Sequence, residues 1–66
     1  MITGDRALQI AREELADDIK KGGIATLLGY ADHWRANCTF PDGSLPAGHV
    51  RKVIRIDLST GDVTTL

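Results

Sequence analysis

The chain has 66 residues, a formal net charge of −1 and one cysteine. A domain of this length buries only about 60% of the surface of its unfolded chain, which leaves little room for a deep catalytic pocket. The near-neutral net charge excludes the broad basic field of a typical nucleic-acid-binding protein. One cysteine cannot form an intramolecular disulfide, and no residues have zinc-ligand spacing. We therefore expect a single domain, residues 1–66, without a cofactor or a metal.

The sequence carries no targeting or membrane signal. Its opening, MITGDRAL, lacks the basic segment followed by an apolar one that marks a signal peptide. No apolar run approaches the roughly 20 residues of a membrane-spanning helix. Unless the chain is a fragment of a longer protein, we expect a soluble, reduced, cytoplasmic protein with no membrane partner.

An amphipathic helix is predicted from about residue 4 to residue 21. Thr3 is suited to cap its N-terminus, and Gly22 and Gly23 are suited to end it. One face of this helix is apolar at helical spacing, which predicts that it faces the core. This predicted core stripe consists of Leu8, Ala11, Leu15 and Ile19.

The opposite face of the predicted helix carries an acidic cluster beside one apolar residue. The cluster consists of Glu13, Glu14, Asp17 and Asp18, and Ile10 lies on the same side. One interpretation is a solvated helix face. The other is a contact with a basic groove of a partner, in which complementary charge speeds association and an exposed Ile10 serves as an apolar anchor.

Three strands are predicted after the helix, in an antiparallel meander. Residues 33–40 and 49–58 alternate between apolar and polar side chains, as half-buried strands do. A turn at residues 59–62, in which Gly61 suits a positive φ, leads into a short strand at residues 62–66. For residues 24–30 the sequence does not decide between a strand, a helical turn and a loop. The predicted class is α+β, with one helix packed on three strands.

The register of the first two predicted strands is restricted by which side chains must face the core. One allowed register pairs Phe40 with Val50, Ala36 with Ile54, Trp34 with Ile56, His33 with Asp57 and Arg35 with Arg55. A shift by two residues is the alternative. In either register the helix stripe is predicted to pack on the face that holds Trp34 and Ile56.

The presence of one cysteine and two histidines raises the hypothesis of a catalytic Cys–His pair, but the alternation of side chains along the predicted strand does not favour it. Catalysis by a Cys–His pair needs the two side chains within hydrogen-bonding reach. Cys38 alternates onto the apolar face of its strand, whereas His33 faces away from it and His49 lies at a strand end. We expect a buried structural thiol, two surface histidines and no enzymatic activity.

The open face of the predicted sheet offers an alternative binding surface. His33, Arg35, Arg51 and Arg55 are predicted to share it. Basic open sheets bind single-stranded nucleic acid when aromatic side chains lie on the same face. Here Trp34 and Phe40 point inward, so direct binding of nucleic acid is the less favoured hypothesis.

The helix-then-meander order resembles the small PepSY-like domains. Three segments carry this resemblance: residues 7–15, the break Gly22-Gly23-Ile24, and the ending at residues 54–63. The resemblance implies a regulatory module with this layout. Members of that family are commonly exported or membrane-tethered, whereas this chain shows no export signal.

In size, acidic patch and lack of a catalytic signature, the chain is also similar in type to the small phage-encoded anti-CRISPR proteins. Those inhibitors share no common sequence signature. The resemblance implies a non-enzymatic protein that binds and blocks another protein. The sequence-based prediction is therefore an inhibitor whose acidic helix face covers a basic, nucleic-acid-binding surface of its partner.

Overall fold

In the part of the chain that the structure describes, two helical segments and four strands follow one another. The computed structural model describes residues 1–41, 48 and 50–66. The elements are α1 (Gly4–Glu14), α2 (Ala16–Lys20), β1 (Ile24–Gly29), β2 (His33–Thr39), β3 (Val53–Asp57) and β4 (Val63–Thr65). The strands form one antiparallel sheet in the order β1-β2-β3-β4, and the helices pack on one of its faces. The predicted α+β class is confirmed.

The prediction of three strands was wrong by one, because residues 24–30 contribute β1. A three-residue loop, residues 30–32, joins β1 to β2, and the N–H of Tyr30 donates to the carbonyl of His33 at 2.8 Å. The sequence did not identify this strand because β1 carries apolar side chains on both faces and so lacks the alternation of apolar and polar residues. Leu27 packs against the core, while Ile24 and Leu28 are exposed on the other face.

The helix begins and ends where the capping residues predict. The side chain of Thr3 accepts a hydrogen bond from the N–H of Arg6 at 3.1 Å, and Gly22 adopts a φ of 99° after α2. The predicted helix is continuous, whereas the structure has a turn at Leu15. The N–H of Leu15 still donates to the carbonyl of Ala11 at 2.9 Å, so α2 follows directly on α1.

The helix is rotated relative to the predicted core stripe. Ile10 was expected on the exposed side, but it is only 9% exposed and belongs to the core, while Leu8 is half-buried and Ile19 is exposed. Ile10 reaches the β3–β4 turn, where a Cβ on Gly61 would lie 3.5 Å from its Cδ1. Ala7 and Ala11 are small and fit either the predicted face with Leu8 or the observed buried face with Ile10. Periodicity alone therefore did not distinguish the two rotations of the helix.

Of the two registers that the sequence allowed for β2 and β3, the structure has the first. Trp34 pairs with Ile56, Ala36 with Ile54, His33 with Asp57 and Arg35 with Arg55. However, β3 begins at Val53 rather than at residue 49, and the exposed Val50 forms no ladder pair with Phe40. His49 lies outside the described residues. The predicted turn after β3 is present, with Gly61 at a φ of 80°.

Two glycines contact the same tryptophan ring and give opposite predictions. A Cβ on Gly29 would lie 2.9 Å from Cζ3 of Trp34, whereas a Cβ on Gly4 would lie 3.7 Å from its Cη2, an ordinary packing distance. Gly29→Ala should lower the free energy of unfolding by about 1–3 kcal/mol through overpacking. Gly4→Ala should raise it by up to about 1 kcal/mol, because alanine loses less backbone entropy in a helix. Urea denaturation measures both values, and equal destabilisation would contradict this placement of the ring.

Candidate functional surfaces

The acidic cluster on the helix is smaller than predicted. Glu13, Glu14 and Asp17 are exposed, but Asp18 is only 7% exposed and lies close enough to Cys38 to influence the thiol. Asp18 faces inward because it continues the buried side of the helix, one turn after Leu15. Ile10 is also buried and cannot anchor a partner. The acidic patch of this protein therefore consists of Glu13, Glu14 and Asp17.

The carboxylates of the acidic patch form no ion pair with the rest of the described chain. Glu13 and Asp17 are four residues apart and Glu14 and Asp17 are three apart, so they share one side of the helix, where like charges repel. Within residues 1–41, 48 and 50–66, none of the three side chains forms an ion pair or a hydrogen bond. The ammonium of Lys52 bonds the backbone carbonyl of Glu14 instead, at 3.3 Å.

A shallow open groove of about 600 Å³ runs along the outer surface of α1 beside the acidic patch. Leu8 and Ala16 supply its apolar part, and Glu13 belongs to both the groove and the patch. The other lining residues are Asp5, Gln9 and Arg12. The groove offers an apolar contact next to the negative charges, a role that the sequence assigned to Ile10.

His33 is the centre of a polar cluster on the open face of the sheet. It was predicted at the surface, but it is only 7% exposed. Nδ1 of His33 lies 2.6 Å from Oδ1 of Asp32, and Nε of Arg35 donates to Nε2 of His33 at 3.1 Å. Because Nε2 accepts a hydrogen bond, the ring proton is on Nδ1 and is donated to Asp32.

Tyr30 extends this cluster and was missed by the sequence analysis. Its ring stacks on His33 with the centroids 4.7 Å apart and the planes 2° from parallel. Cζ of Arg35 lies 5.0 Å from the centroid of the same ring, a cation–π arrangement. The signal was available, because a strand at residues 24–29 places Tyr30 on the same side as Ile24 and Leu28. The open face therefore does carry an aromatic side chain.

The two cross-strand arginines differ in their surroundings. Arg55 pairs with Arg35 in the ladder, and its Nη2 lies 3.8 Å from Oδ2 of Asp32. The hydrogen bond with His33 lowers the pKa of Asp32, and the positive charge of Arg55 lowers it further. Arg51 precedes β3 and is exposed. Of the predicted face, the structure thus brings together His33, Arg35 and Arg55, but not Arg51.

Acid is expected to destabilise the domain below the ordinary aspartate pKa of 3.8. The pKa of Asp57 is lowered mainly because its carboxylate accepts backbone hydrogen bonds from Thr60 and Ser59, at 3.0 and 2.8 Å. Such a group stabilises the fold above its ordinary pKa, and this contribution disappears as the pH falls through the lowered, folded-state value. Asp57→Asn should therefore lower the Tm at neutral pH, and the difference from the native chain should shrink in acid.

Thermal melts of the native and Asp57→Asn chains across this pH range measure the effect. Asp62→Asn is the matched control, because Asp62 lies in the same turn and, among the described residues, its side chain accepts no hydrogen bond. Its Tm should stay close to that of the native chain. A Tm difference for Asp57→Asn that is the same at every pH would contradict the proposed cause.

The thiol is buried, as the sequence predicts, and it does not lie beside His33. Cys38 is buried, and burial raises its pKa, with the negative charge of Asp18 adding to the effect. Its side chain faces the helix, whereas His33 lies on the open face of the same strand. Among the described residues no group of three or more His, Cys, Asp or Glu side chains could hold a metal ion.

Comparisons with known proteins add no assignment. No family model, curated protein or solved structure matches the chain. In the described part of the chain, no helix has the length and apolar character needed to span a membrane. Function must therefore be inferred from the acidic patch and the open sheet face.

Proposed function

We propose that this chain is a non-enzymatic, protein-binding inhibitor of the same type as the anti-CRISPR proteins. It binds a basic surface that its target otherwise uses for nucleic acid, and the acidic patch makes the contact. The observation that carries the proposal is the set of three exposed carboxylates within five residues that form no ion pair with a cation of the described chain. Mutual repulsion disfavours this set in the free protein, and a positively charged partner relieves it.

The geometry supports competition with a phosphate backbone. Glu13 and Asp17, on either side of the turn at Leu15, are about 6 Å apart along the helix axis at 1.5 Å per residue. Lysine and arginine side chains that bind phosphates can bind these carboxylates instead. The neighbouring groove with Leu8 and Ala16 can take up the aliphatic stem of such a side chain.

The salt dependence of target binding tests this proposal. The target is first captured from the native host at low ionic strength with the tagged chain and is then purified. Because exposed charges are screened over about 10 Å at 0.1 M salt, the affinity should fall steadily as salt is added. An affinity that does not change with salt would contradict an electrostatic contact through the acidic patch.

A second candidate function, binding of single-stranded nucleic acid, is favoured by one observation. Tyr30 is exposed on the sheet face beside Arg35, and this supplies the aromatic platform that the sequence analysis found missing. Stacking of a base on such a ring contributes about 1–3 kcal/mol. A labelled oligonucleotide should then bind the native chain and Tyr30→Phe but not Tyr30→Ala. If the native chain does not bind the oligonucleotide, this candidate is eliminated.

A further inference from the structure

We propose that β1 pairs antiparallel with β1 of a second copy, forming a two-fold symmetric dimer with one continuous eight-stranded sheet. The proposal concerns the edge of the sheet and is independent of the acidic patch. Three features support this pairing: the backbone groups of β1, its lack of charge, and the fit of its exposed side chains against those of β1 in the second copy.

The outer edge of β1 has a row of backbone groups that no other described residue pairs with. Hydrogen-bonded and non-hydrogen-bonded pairs alternate along an antiparallel ladder. The hydrogen bond from Tyr30 to His33 shows that these two residues form a hydrogen-bonded pair. Every second residue before Tyr30 therefore also belongs to such a pair, and the N–H and C=O groups of Ile24, Thr26 and Leu28 point toward β2. Those of Ala25, Leu27 and Gly29 point away from the sheet, where a further strand can pair with them.

The two edges of the sheet differ in their protection. Natural edge strands commonly carry charges or proline, or they are very short, and these features block pairing with other chains. At three residues, β4 is short. In contrast, β1 has six residues, and residues 22–31 include neither a charged residue nor proline. In a two-fold pair each side chain lies opposite a residue of the same strand in the second copy, so a strand without charged residues can pair with itself without repulsion.

The side chains of β1 are self-complementary when the two-fold axis passes through Leu27. Ala25 then faces Gly29 of the second copy, and Thr26 faces Leu28 of the second copy. Ile24 faces Tyr30 of the second copy. These pairs cover Ile24, Leu28 and Tyr30, which are 60%, 59% and 45% exposed in the single chain. Cross-strand pairs of this kind stabilise a sheet, and a second copy gives these exposed residues partners.

Charge placed on the open side of β1 tests the dimer. Sedimentation over micromolar to millimolar concentrations should show the native chain converting from monomer to dimer. Thr26→Lys with Leu28→Lys brings lysines opposite lysines across the axis and should weaken the dimer by about tenfold or more. Thr64→Lys with Leu66→Lys makes the same change on β4 and at the C-terminus, and this control should dimerise like the native chain.

Mixing oppositely charged variants tests the pairing itself. Thr26→Glu with Leu28→Glu should also fail to dimerise alone, but it should form a heterodimer with the lysine variant, with circular dichroism confirming that both are folded. A native chain that stays monomeric, or a dimer that survives the lysine variant, would overturn the proposal. If the native chain is monomeric and the lysine variant no longer binds the target, a strand of the target pairs with this edge instead of a second copy.

Discussion

Trp34→Ala is expected to lower the free energy of unfolding by about 3–5 kcal/mol, as removal of a packed tryptophan commonly does. The ring packs against the hydrophobic core, lies over Gly4 and Gly29, and belongs to the same sheet face as Ile56. A core in a domain of this size rarely supplies more than about 3–5 kcal/mol. The alanine variant should therefore be largely unfolded at room temperature.

Chemical denaturation followed by circular dichroism measures this loss, with Trp34→Phe as the control. Phenylalanine keeps an aromatic ring over the two glycines. It also removes Nε1, a buried atom with no hydrogen-bond partner in the described part of the chain. Trp34→Phe should thus cost much less than Trp34→Ala. An alanine variant with the native Tm would contradict the packing of the helix on this face of the sheet.

Glu14→Lys with Asp17→Lys is expected to weaken target binding by about 100-fold. This corresponds to about 1.4 kcal/mol for each reversed charge. The fold should be retained, because substitutions at exposed positions usually change stability by no more than about 0.5 kcal/mol. Isothermal titration calorimetry with the captured target gives the affinity, and circular dichroism verifies the fold.

The control reverses two charges on the opposite side of the molecule. Arg35→Glu with Arg55→Glu changes the open sheet face and should leave target binding close to that of the native chain. Thermal melts of this variant are needed, because Arg35 also donates to His33. If the arginine pair proves essential and the acidic pair neutral, the target binds the open sheet face instead.

Features set by local chemistry were predictable from the sequence. Thr3 caps the helix because its hydroxyl accepts a backbone N–H, and Gly61 forms the turn because it adopts a positive φ. The requirement that Trp34 and Ile56 face the core together restricted β2 and β3 to two registers, and the structure has the one that pairs these two residues. At the helix cap and at the turn, a few neighbouring residues determine the structure.

Features set by packing between distant segments were not predictable. Ile10 is buried because the β3–β4 turn lies beside it, about fifty residues later in the chain. An edge strand with apolar residues on both faces lacks the alternation that identifies strands, so β1 stayed ambiguous. The cluster around His33 was missed for the same reason, because it forms only when the β1–β2 turn brings Tyr30 onto it.

The acidic patch was predicted in part. Glu13, Glu14 and Asp17 are exposed as expected, because polar residues at helical spacing define the outer face. Asp18 is inside, since the rotation that buries Ile10 also turns Asp18 toward the sheet. The sequence identified the charged surface, and only the three-dimensional structure defined which carboxylates can reach a partner.

Competition between this chain and nucleic acid for the captured target tests the proposed inhibition most directly. A labelled nucleic acid is bound to the target, and the native chain is added while fluorescence anisotropy is recorded. The native chain should displace the nucleic acid, and the chain carrying Glu14→Lys with Asp17→Lys should require about 100-fold more protein, in proportion to its weaker binding. A target that binds the native chain and the nucleic acid at the same time, with neither affinity changed, would contradict the proposed function.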